Sequence, residues 1–413
     1  MARRSDELQA QAARLGLETH GKREDLMDRI RDFIVKRDGL SIVSQIEPMV
    51  TRNAKDFFDY TLERPWLSEE LAPLWSHPDI IMEPKLDGVR VKGHFNPLFP
   101  TAVRFDSRRR SDINFIYAER TQNFPHLHFD LNQLPVECHD MILDGEFIPP
   151  INVVKMWNPM QQIWVEGLNI ATSIWNCGKD MSQTMQTQCS GVDTAGNIVC
   201  QGVKLQYHVF DILRFNGQWI YHLPLEDRNK YKLWAMSVLT AINPHYHLVP
   251  SWYHNHDRLK IFEDVLLKGG EGVMFKNKTY AYEIGKRVDH QLKLKRFIDF
   301  DAFITGSTPA TPGKGWEGMI GGFEVSCMAG DKPIHVASCS AMTLEDRRAA
   351  SLPDGSLNPD FLNRVIEVRC QQLTSRSKRG RHAVMVRYRP DKTPDMCGMD
   401  QIKDSDSEMM ADV

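Results

Sequence analysis

The amino-acid sequence predicts an α+β protein of several domains. The chain has 413 residues, more than one domain usually contains, and its 42% hydrophobic and 25% charged residues are ordinary for a globular protein. Helical periodicity dominates the first 40 residues, whereas short β-type runs begin at Ile80 and again after Arg296. We therefore expect a small helical unit, a larger unit of antiparallel sheets with helices, and a small β-barrel.

The first 40 residues have the pattern of two short amphipathic helices. Apolar side chains recur at helical spacing in two stripes, formed by Leu8, Ala12 and Leu15 and by Leu26, Ile30, Phe33 and Ile34. Between them, Thr19 can cap a helix and Gly21 can break one. With Lys22 and Arg23 after Gly21, this arrangement resembles the SAP helix-extended-helix module, which implies binding to duplex DNA. A plain helical hairpin for protein contacts is the alternative.

Residues 41–75 are expected to form a linker with some helix, because Pro65 and Pro73 interrupt any longer element. The larger unit is predicted over residues 76–297. Its expected strands are Ile80–Met82, Val89–Phe95, Ala102–Phe105, Met141–Phe147 and Gln206–Leu213. Helical patterns follow near Leu168–Trp175 and over residues 255–268. No chemistry is recognisable in residues 151–200.

A second β-rich unit is predicted over residues 298–393. Its expected strands are Asp301–Thr305, Gly322–Met328, Ile334–Cys339, Arg364–Leu373 and Ala383–Tyr388. Five short strands with one interposed helix, Leu344–Ala350, fit a small Greek-key barrel of the OB type. Residues 394–413 are rich in methionine and acidic at the end, and we expect them to be disordered.

Composition excludes several classes of protein. No run of about 18 apolar residues is present, so we expect no membrane span. The N-terminal residues lack the apolar core of a signal peptide, and the eight cysteines form no C-x-x-C pair. These features predict reduced thiols, no zinc module, and an intracellular protein. Residues 276–296 and 376–392 are each locally basic, which favours a polyanionic partner.

One lysine stands out in the stretch Glu83-Pro84-Lys85-Leu86-Asp87-Gly88-Val89-Arg90. It follows an apolar strand pattern, and Asp87-Gly88 suits a tight turn that would aim the side chain into a cleft. A lysine amine is protonated at neutral pH, but neighbouring cations and desolvation favour the neutral, nucleophilic form. Taken alone, the stretch fits a surface hairpin equally well.

Four later patches accompany this lysine in the chain. Asp144-Gly145-Glu146 and Phe210 end strand patterns, Glu271-Gly272-Val273-Met274-Phe275-Lys276 follows a glycine pair, and Lys293 and Lys295 alternate along one strand. Each patch alone is more often a turn, a core residue or a solvated edge. Gly313-Lys314-Gly315 is not a P-loop, because the flanking Gly and Ser or Thr are missing.

Together, in this order, the patches resemble the covalent nucleotidyltransferase superfamily of ATP-dependent DNA ligases, RNA ligases and mRNA capping enzymes. The spacing and the β-barrel that follows are most similar to ATP-dependent DNA ligases of the compact bacteriophage type. The resemblance covers residues 80–392. It implies a nucleotidyltransferase domain over residues 76–297 and an OB-fold domain over residues 298–393.

The resemblance also implies roles for individual residues. Lys85 would be the catalytic nucleophile that becomes lysyl-AMP. Residues that would bind ATP are Glu83 at the adenine amino group, Arg90 at ribose or phosphate, Glu146 at the ribose hydroxyl, and Phe210 stacked on adenine. Arg108 would match the arginine of the next motif and would also bind the cofactor. Glu146 and Glu271 would hold a divalent metal. Cations that would neutralise the phosphate are Lys276, Lys293 and Lys295, with Arg389 and Lys392 orienting the leaving pyrophosphate. Lys286 matches a basic pair upstream of Lys293 and would also bind the cofactor.

These roles imply an ATP-dependent DNA ligase that uses ATP with Mg²⁺ or another divalent cation. Its expected partner is nicked duplex DNA, and we expect a monomer in the cytoplasm of a bacterial or phage-infected cell. An RNA ligase and a capping guanylyltransferase are the alternatives, since they share the lysine, the carboxylates and the paired lysines. A DNA-binding scaffold with a dead pocket is disfavoured because all the motif residues are present. An NAD⁺-dependent ligase is disfavoured because no nicotinamide, zinc or helix-hairpin-helix module is recognisable.

Overall fold

The computed structural model describes most of the chain between Glu47 and Ile402. The described residues are 47–54, 65–110, 117–187, 198–200, 202–295, 297–313, 315–340, 342–370, 372–373, 379–381 and 383–402, with 9, 12–13, 16–20, 26 and 29 near the start. Most of the predicted helices of residues 5–37, part of the predicted linker, and residues 403–413 of the predicted tail therefore lie outside the described residues.

The described chain is a mixture of many short strands and a few helices. The strands are β1 Val50–Asn53, β2 Ile80–Pro84, β3 Val89–Phe95, β4 Val103–Arg110, β5 Tyr117–Glu119, β6 Met141–Ile148, β7 Val153–Asn158, β8 Ile163–Glu166, β9 Ile198–Cys200, β10 Gln206–Phe215, β11 Gln218–Trp219, β12 Tyr246–Leu248, β13 Gly272–Asn277, β14 Arg287–Lys295, β15 Ile298–Pro309, β16 Ile320–Ala329, β17 Lys332–Cys339, β18 Val365–Cys370, β19 Gln372–Leu373, β20 Gly380–Arg381 and β21 Val384–Tyr388. The helices are α1 Ala72–Ser76, α2 Leu168–Asn176, α3 Lys179–Thr187, α4 Leu225–Ile242, α5 Arg258–Leu267 and α6 Leu344–Ala350.

The chain divides into two compact units. The first comprises residues 1–265 and 270–294, and the second comprises residues 266–269 and 295–413. The main division, between Leu294 and Lys295, lies close to the boundary at residue 297 that the sequence predicts.

A seven-stranded sheet forms the centre of the first unit. Its strands run in the order β11-β10-β6-β3-β4-β5, and β12 pairs with β10. The ring of Tyr207 crosses under the sheet, where its hydroxyl accepts from the Gly93 N–H at 3.0 Å and donates to the Leu143 carbonyl at 3.0 Å. Gly145 permits this approach, because a Cβ there would lie 2.6 Å from both the Tyr207 ring and the His208 carbonyl. The core on this face is apolar, so the opposite face can carry polar residues.

A four-stranded sheet, ordered β1-β14-β13-β2, completes the strand framework around the site in the first unit. In the β2–β13 pair, Glu83 lies opposite Met274 and Ile81 lies opposite Lys276, so the side chains of Glu83 and Lys276 point to the same face. On the other face, the Trp75 ring packs against Phe275 at 5.3 Å. The polar face of this sheet is thereby left for Glu83 and Lys276.

The second unit contains a five-stranded antiparallel sheet in the order β17-β16-β15-β18-β21. The edge strands β17 and β21 also contact each other, so the sheet curls around an apolar core. Strands occur at the five predicted places, and α6 occupies residues 344–350 as predicted, with Thr343 and Asp346 forming a capping box at its start. Assignment of this barrel to the OB type stays a prediction.

Two expectations about irregular segments need correction. The predicted linker contains helix as expected, at α1, but it also contains β1, a four-residue strand that pairs in parallel with β14 and is too short to show periodicity in the sequence. The predicted disordered tail is ordered over the part that the structure describes, residues 394–402. Cys397 is fully buried there, its carbonyl accepts from the Met328 N–H at 2.7 Å, and Ile402 joins the apolar core of the second unit.

Residues 151–200 also have a structural role where they are described. They supply the β7–β8 hairpin and helices α2 and α3. The buried side chains of these helices that join the core of the first unit are Ile170, Ala171, Ile174, Trp175 and Met185. This segment extends the core under the seven-stranded sheet.

Candidate active site

Lys85 lies at the first residue after β2, where the chain leaves the four-stranded sheet for β3 of the seven-stranded sheet. Its backbone N–H donates to the Gly272 carbonyl at 2.9 Å, which fixes the start of the turn. Gly88 ends the turn, and a Cβ at that residue would lie 2.2 Å from the Phe147 carbonyl. The glycine therefore lets the backbone approach β6 closely, as the predicted tight turn requires.

The Lys85 amine is held by oxygen atoms. Its Nζ forms an ion pair with Oε2 of Glu271 and donates to the Leu86 carbonyl at 3.3 Å. The two paired side chains are only 19% and 13% exposed, so the pair is largely shielded from water. The sequence-based expectation placed cations beside this amine, but its contacts are with a carboxylate and a carbonyl. A carboxylate in this position can accept a proton from the amine.

Glu146 lies next to the same lysine. Its Oε1 accepts a hydrogen bond from the Gly88 N–H at 3.0 Å. Burial raises the pKa of Glu146 to about 7; Lys85, Arg90 and the Gly88 hydrogen bond oppose this rise, and the negative charge of Glu271 adds to it. Two carboxylates thus converge on one amine, and one of them changes charge near neutral pH.

Arg90 is locked into a buried network. Its guanidinium binds both oxygens of Asp144, at 3.0 and 2.6 Å, and donates to the Met49 carbonyl at 2.8 Å. The Tyr282 hydroxyl donates to Asp144 at 2.7 Å. Burial alone would lower the pKa of Arg90, but the charge of Asp144 raises it overall. The guanidinium lies 5.2 Å from the Phe210 ring centroid, so this network fixes a cation against that ring.

Glu83 and Phe210 are joined by two buried lysines. The Glu83 carboxylate is 2.5 Å from Nζ of Lys276 and 3.9 Å from Nζ of Lys232, and it accepts from the Ser251 hydroxyl at 3.0 Å. Lys276 also lies 5.0 Å from the Phe210 ring centroid, and Lys232 donates to the Phe210 carbonyl at 3.1 Å. Burial lowers the pKa of Lys232, and the Glu83 charge opposes that effect. Glu83 itself is 1% exposed.

A second ion pair lies directly after Phe210. Both oxygens of Asp211 accept from the Arg228 guanidinium at 2.9 Å, and Arg228 also donates to the Leu223 carbonyl at 2.6 Å. Arg228 is 0% exposed. Burial would raise the pKa of Asp211, but the charge and hydrogen bonds of Arg228 lower it overall. The pair anchors α4 to β10 beside the aromatic ring.

The structure therefore brings together seven of the predicted site residues of the first unit. They are Glu83, Lys85, Arg90, Glu146, Phe210, Glu271 and Lys276. Two other predicted cations of this unit, Lys286 and Arg108, occupy exposed positions. Lys286 makes an exposed pair with Glu283 at 3.2 Å, and Arg108 is exposed on β4. Lys293 and Lys295 are two residues apart on β14 and share one face of that strand.

Sequence reasoning missed the partners that hold these groups. They are Asp144 as the counter-ion of Arg90, Tyr282, Lys232, Ser251, and the Asp211–Arg228 pair. Asp144 was visible beside Glu146 in the sequence, and Asp211 beside Phe210, but their burial was not. The others lie on segments with no motif of their own, and a helical lysine such as Lys232 is usually solvated.

In the second unit, the predicted cations Arg389 and Lys392 occur together. Arg389 donates to Asp301 at 3.0 Å and to Asp391 at 2.9 and 2.7 Å, and Lys392 lies 2.5 Å from Asp301. The Arg389 pKa is raised by its hydrogen bond to Asp391 and by the charge of Asp301. Asp301, on β15, was not predicted.

The described residues offer part of the ligand set that a metal ion requires. Within the described ranges, no three His, Cys, Asp or Glu side chains are grouped as a ready-made metal centre. Glu146 and Glu271 supply two carboxylates beside Lys85, a donor set that suits Mg²⁺, which prefers one or two carboxylates completed by phosphates and water.

None of the described helices is both long and apolar enough to cross a membrane.

Comparison with known proteins gives the family. Residues 67–295 match the model of the ATP dependent DNA ligase domain, and residues 1–35 match that of the SAP domain. DNA ligase 4 of Candida glabrata is 24% identical over 278 residues, 64% of this chain and 25% of that protein. A probable DNA ligase of Rhodococcus opacus is 26% identical over 354 residues, 80% of this chain and 60% of that protein.

The chain spans only part of the length of the first of these relatives, 25% of the Candida protein, and 44% of a probable DNA ligase of Koribacter versatilis. Among solved structures, a Lig E DNA ligase aligns with a TM-score of 0.51 at 16% identity, covering 83% of this chain and 98% of its own. A ligase designated Pmar-Lig aligns with a TM-score of 0.56 at 17% identity, covering 90% and 72%. These structural likenesses show a shared fold.

The family match covers more than half of the chain and contains Lys85, its carboxylate neighbours and, apart from β1, every strand of the two sheets that position them. It confirms the resemblance to ATP-dependent DNA ligases and favours that prediction over an RNA ligase or a capping enzyme. This chain belongs to the family of ATP-dependent DNA ligase domains.

Proposed function

We propose that this protein seals nicks in duplex DNA with ATP, through a lysyl-AMP intermediate on Lys85. The observation that carries the proposal is the position of the Lys85 amine, which lies against Glu271 and beside Glu146 within the matched ligase domain. A half-buried amine next to a proton acceptor suits a nucleophile that forms a covalent nucleotide intermediate.

In the first step, Nζ of Lys85 attacks the α-phosphorus of ATP. An N–P bond forms, the bond from that phosphorus to the pyrophosphate oxygen breaks, and pyrophosphate leaves. The ammonium must first lose a proton, and the Glu271 carboxylate is in place to take it. The DNA 5′-phosphate then attacks the same phosphorus and releases Lys85. Finally the 3′-hydroxyl attacks the 5′-phosphate, the backbone bond forms, and AMP leaves.

The nucleoside is held by the predicted residues Glu83, Arg90, Arg108, Glu146 and Phe210. Support comes from the fixed setting of the Phe210 ring, which has the Arg90 and Lys276 cations within about 5 Å. Ser251 and two lysines already bind the Glu83 carboxylate, so the adenine amino group would share the acceptor sites of that carboxylate with them.

The phosphates are neutralised by the predicted cations Lys276, Lys286, Lys293, Lys295, Arg389 and Lys392. Phosphoryl-type transfer is catalysed mainly by positioning and by positive charge on the non-bridging oxygens, so a set of cations is what the chemistry requires. Glu146 and Glu271 would hold a Mg²⁺ or similar ion, which supplies further positive charge to the phosphate oxygens when bound.

DNA is held through its phosphate backbone, without sequence preference. The match of residues 1–35 to the SAP domain supports a DNA-binding role for that segment. We assign the second unit to the OB type, because its sheet order and meeting edge strands fit a small closed barrel. We expect a monomer that works inside the cell, where its cysteines stay reduced.

The test is transfer of label to the protein from ATP that carries a radioactive α-phosphate. We expect the wild-type protein to be labelled in the presence of Mg²⁺ and Lys85→Ala to remain unlabelled. Lys230→Ala is the matched control, since Lys230 is an exposed lysine of the same unit that pairs only at the surface with Asp227. A Lys85→Ala protein that seals nicks at the wild-type rate would reject the assignment.

The polynucleotide substrate is tested separately. Labelled wild-type protein is mixed with a nicked DNA duplex or a nicked RNA duplex of the same sequence. We expect sealing of DNA and much slower sealing of RNA. Labelling by GTP but not by ATP, or sealing of RNA alone, would instead support a capping enzyme or an RNA ligase.

A further inference from the structure

Four charged side chains form a compact cluster at the end of β21 in the second unit. Nη1 of Arg389 lies 3.0 Å from Oδ1 of Asp301, and Nζ of Lys392 lies 2.5 Å from Oδ2 of the same carboxylate. Asp391 binds the other edge of the guanidinium, at 2.9 Å from Nε and 2.7 Å from Nη2. One carboxylate, that of Asp301, is therefore shared by two cations.

Asp301 is the rigid member of this cluster. It lies within β15, paired with Glu367 of β18, and its side chain is 8% exposed. Asp391 lies in the turn after β21, and its side chain is 59% exposed. Water therefore competes for Asp391 more than for Asp301, and the buried strand residue is the one that sets where the two cations stand.

The shared carboxylate also reduces the electrostatic repulsion between Arg389 and Lys392. Two cationic groups this close repel each other, and the Asp301 charge between them cancels that repulsion. A guanidinium has five N–H donors and an ammonium has three. The contacts described above use at most four of the five N–H donors of Arg389 and one of the three N–H donors of Lys392. The remaining donors of both side chains can bind an anion. Two adjacent donors suit the oxygens of neighbouring phosphates.

We propose that Asp301 is a positioning residue for pyrophosphate, which holds Arg389 and Lys392 side by side as one binding element. The inference rests on the function proposed above, in which these two cations bind the pyrophosphate part of ATP. Asp301 itself repels the anion and acts through the two cations. Its replacement should therefore impair only those steps in which pyrophosphate is present.

Asp301→Asn is the informative variant, because it keeps the shape of the side chain and removes its charge. We expect labelling of the protein by ATP to slow by about tenfold or more, which is the effect of losing one charge-assisted interaction. In the reverse reaction, the pyrophosphate concentration that half-maximally removes AMP from the labelled protein should rise by a similar factor. Sealing of a nick that already carries a 5′-adenylate should stay within about twofold, since no pyrophosphate takes part.

Asp299→Asn is the matched control. Asp299 lies two residues earlier on β15 and binds Arg369 through both carboxylate oxygens, at 2.6 and 2.5 Å. It has the same chemistry and neighbourhood but makes no contact with Arg389 or Lys392 among those described. We expect this variant to match the wild type in all three reactions. The double variant Asp301→Asn with Lys392→Met tests whether Asp301 acts through Lys392. In the protein that already carries Lys392→Met, adding Asp301→Asn should slow labelling by ATP only slightly further.

Three results would overturn the inference. Labelling of Asp301→Asn as fast as the wild type with unchanged pyrophosphate dependence, or labelling faster than the wild type, would each contradict the positioning role. Equal loss in sealing of the pre-adenylylated nick would mean that Asp301 serves only the fold. Absence of labelling in the wild-type protein would instead reject the proposed function itself, so the two failures are distinguishable.

Discussion

Replacing Asp211 by asparagine tests the buried ion pair that stands beside Phe210. The substitution keeps the size of the side chain but removes the charge that Arg228 binds at 2.9 Å through two nitrogens. Arg228 is 0% exposed, so water cannot take over the lost interaction. Breaking a buried pair on one side typically costs about 3–5 kcal/mol. For a domain of this size class, each kcal/mol lowers the melting temperature by roughly 2–4 °C, so we expect a decrease of about 6–20 °C.

The pH dependence gives the same pair an independent signature. The pKa of Asp211 is lowered in the folded state, so its carboxylate contributes stability that is fully present above the unfolded value of about 4. That contribution is lost as pH falls through the lower, folded pKa. Below about pH 4, the difference in stability between wild type and Asp211→Asn should therefore shrink.

The assay is thermal unfolding followed by calorimetry, which can separate the transition of the first unit from that of the second. Asp227→Asn is the control on α4, because Asp227 makes an exposed pair with Lys230 at 2.7 Å. Such surface pairs contribute about 0–1 kcal/mol. If Asp211→Asn destabilises the first unit no more than Asp227→Asn does, the buried pair does not have the role described. Labelling of Lys85 should weaken only in the Asp211 variant, since Phe210 is its neighbour.

Three further changes test the frame of the site. Gly145→Ala puts a Cβ 2.6 Å from the His208 carbonyl, and we expect a loss of about 1–3 kcal/mol in urea unfolding. The pKa of Glu146 is raised to about 7 in the folded state, so between about pH 4.5 and 7 the folded protein keeps a proton that the unfolded chain has lost. The free energy of unfolding of the ligand-free protein should therefore fall over this pH range and then level off. Glu146→Gln should remove that fall, which is at most about 3 kcal/mol, in urea midpoints measured at pH 5 and 8. Tyr282→Phe deletes a hydroxyl that donates to Asp144 at 2.7 Å, so unfolding free energy should drop by about 1–3 kcal/mol and the KM for ATP should rise as Arg90 loosens.

Several parts of the fold were predictable because they are local. The strands around Lys85, the helix over residues 344–350 and the five strands of the second unit all carry periodicity or turn signals in their own residues. Strand β1 was not predictable, because four residues without alternation acquire their conformation only by pairing with β14. The order of residues 394–402 was missed for a similar reason, since Cys397 is buried only by contact with β16.

The candidate site also has features that the local sequence predicts and features that depend on tertiary contacts. By itself, the sequence predicted the identity and order of the proposed reacting groups, because the lysine of Lys85-Leu86-Asp87-Gly88, its flanking carboxylates and its later cations follow one another at recognisable spacings. Those spacings reflect short-range constraints, such as the turn that Gly88 permits against β6.

The tertiary structure alone decided which charges meet. Lys85 pairs with Glu271, which is 186 residues away, and Arg90 and Asp144 are 54 residues apart. Lys232 and Ser251 reach Glu83 from segments without any motif. Ion pairs depend on distance and burial, which the folding of the two sheets sets and the local sequence does not encode. The lysine could therefore be recognised from its neighbours in sequence, but its electrostatic environment could be read only from its neighbours in space.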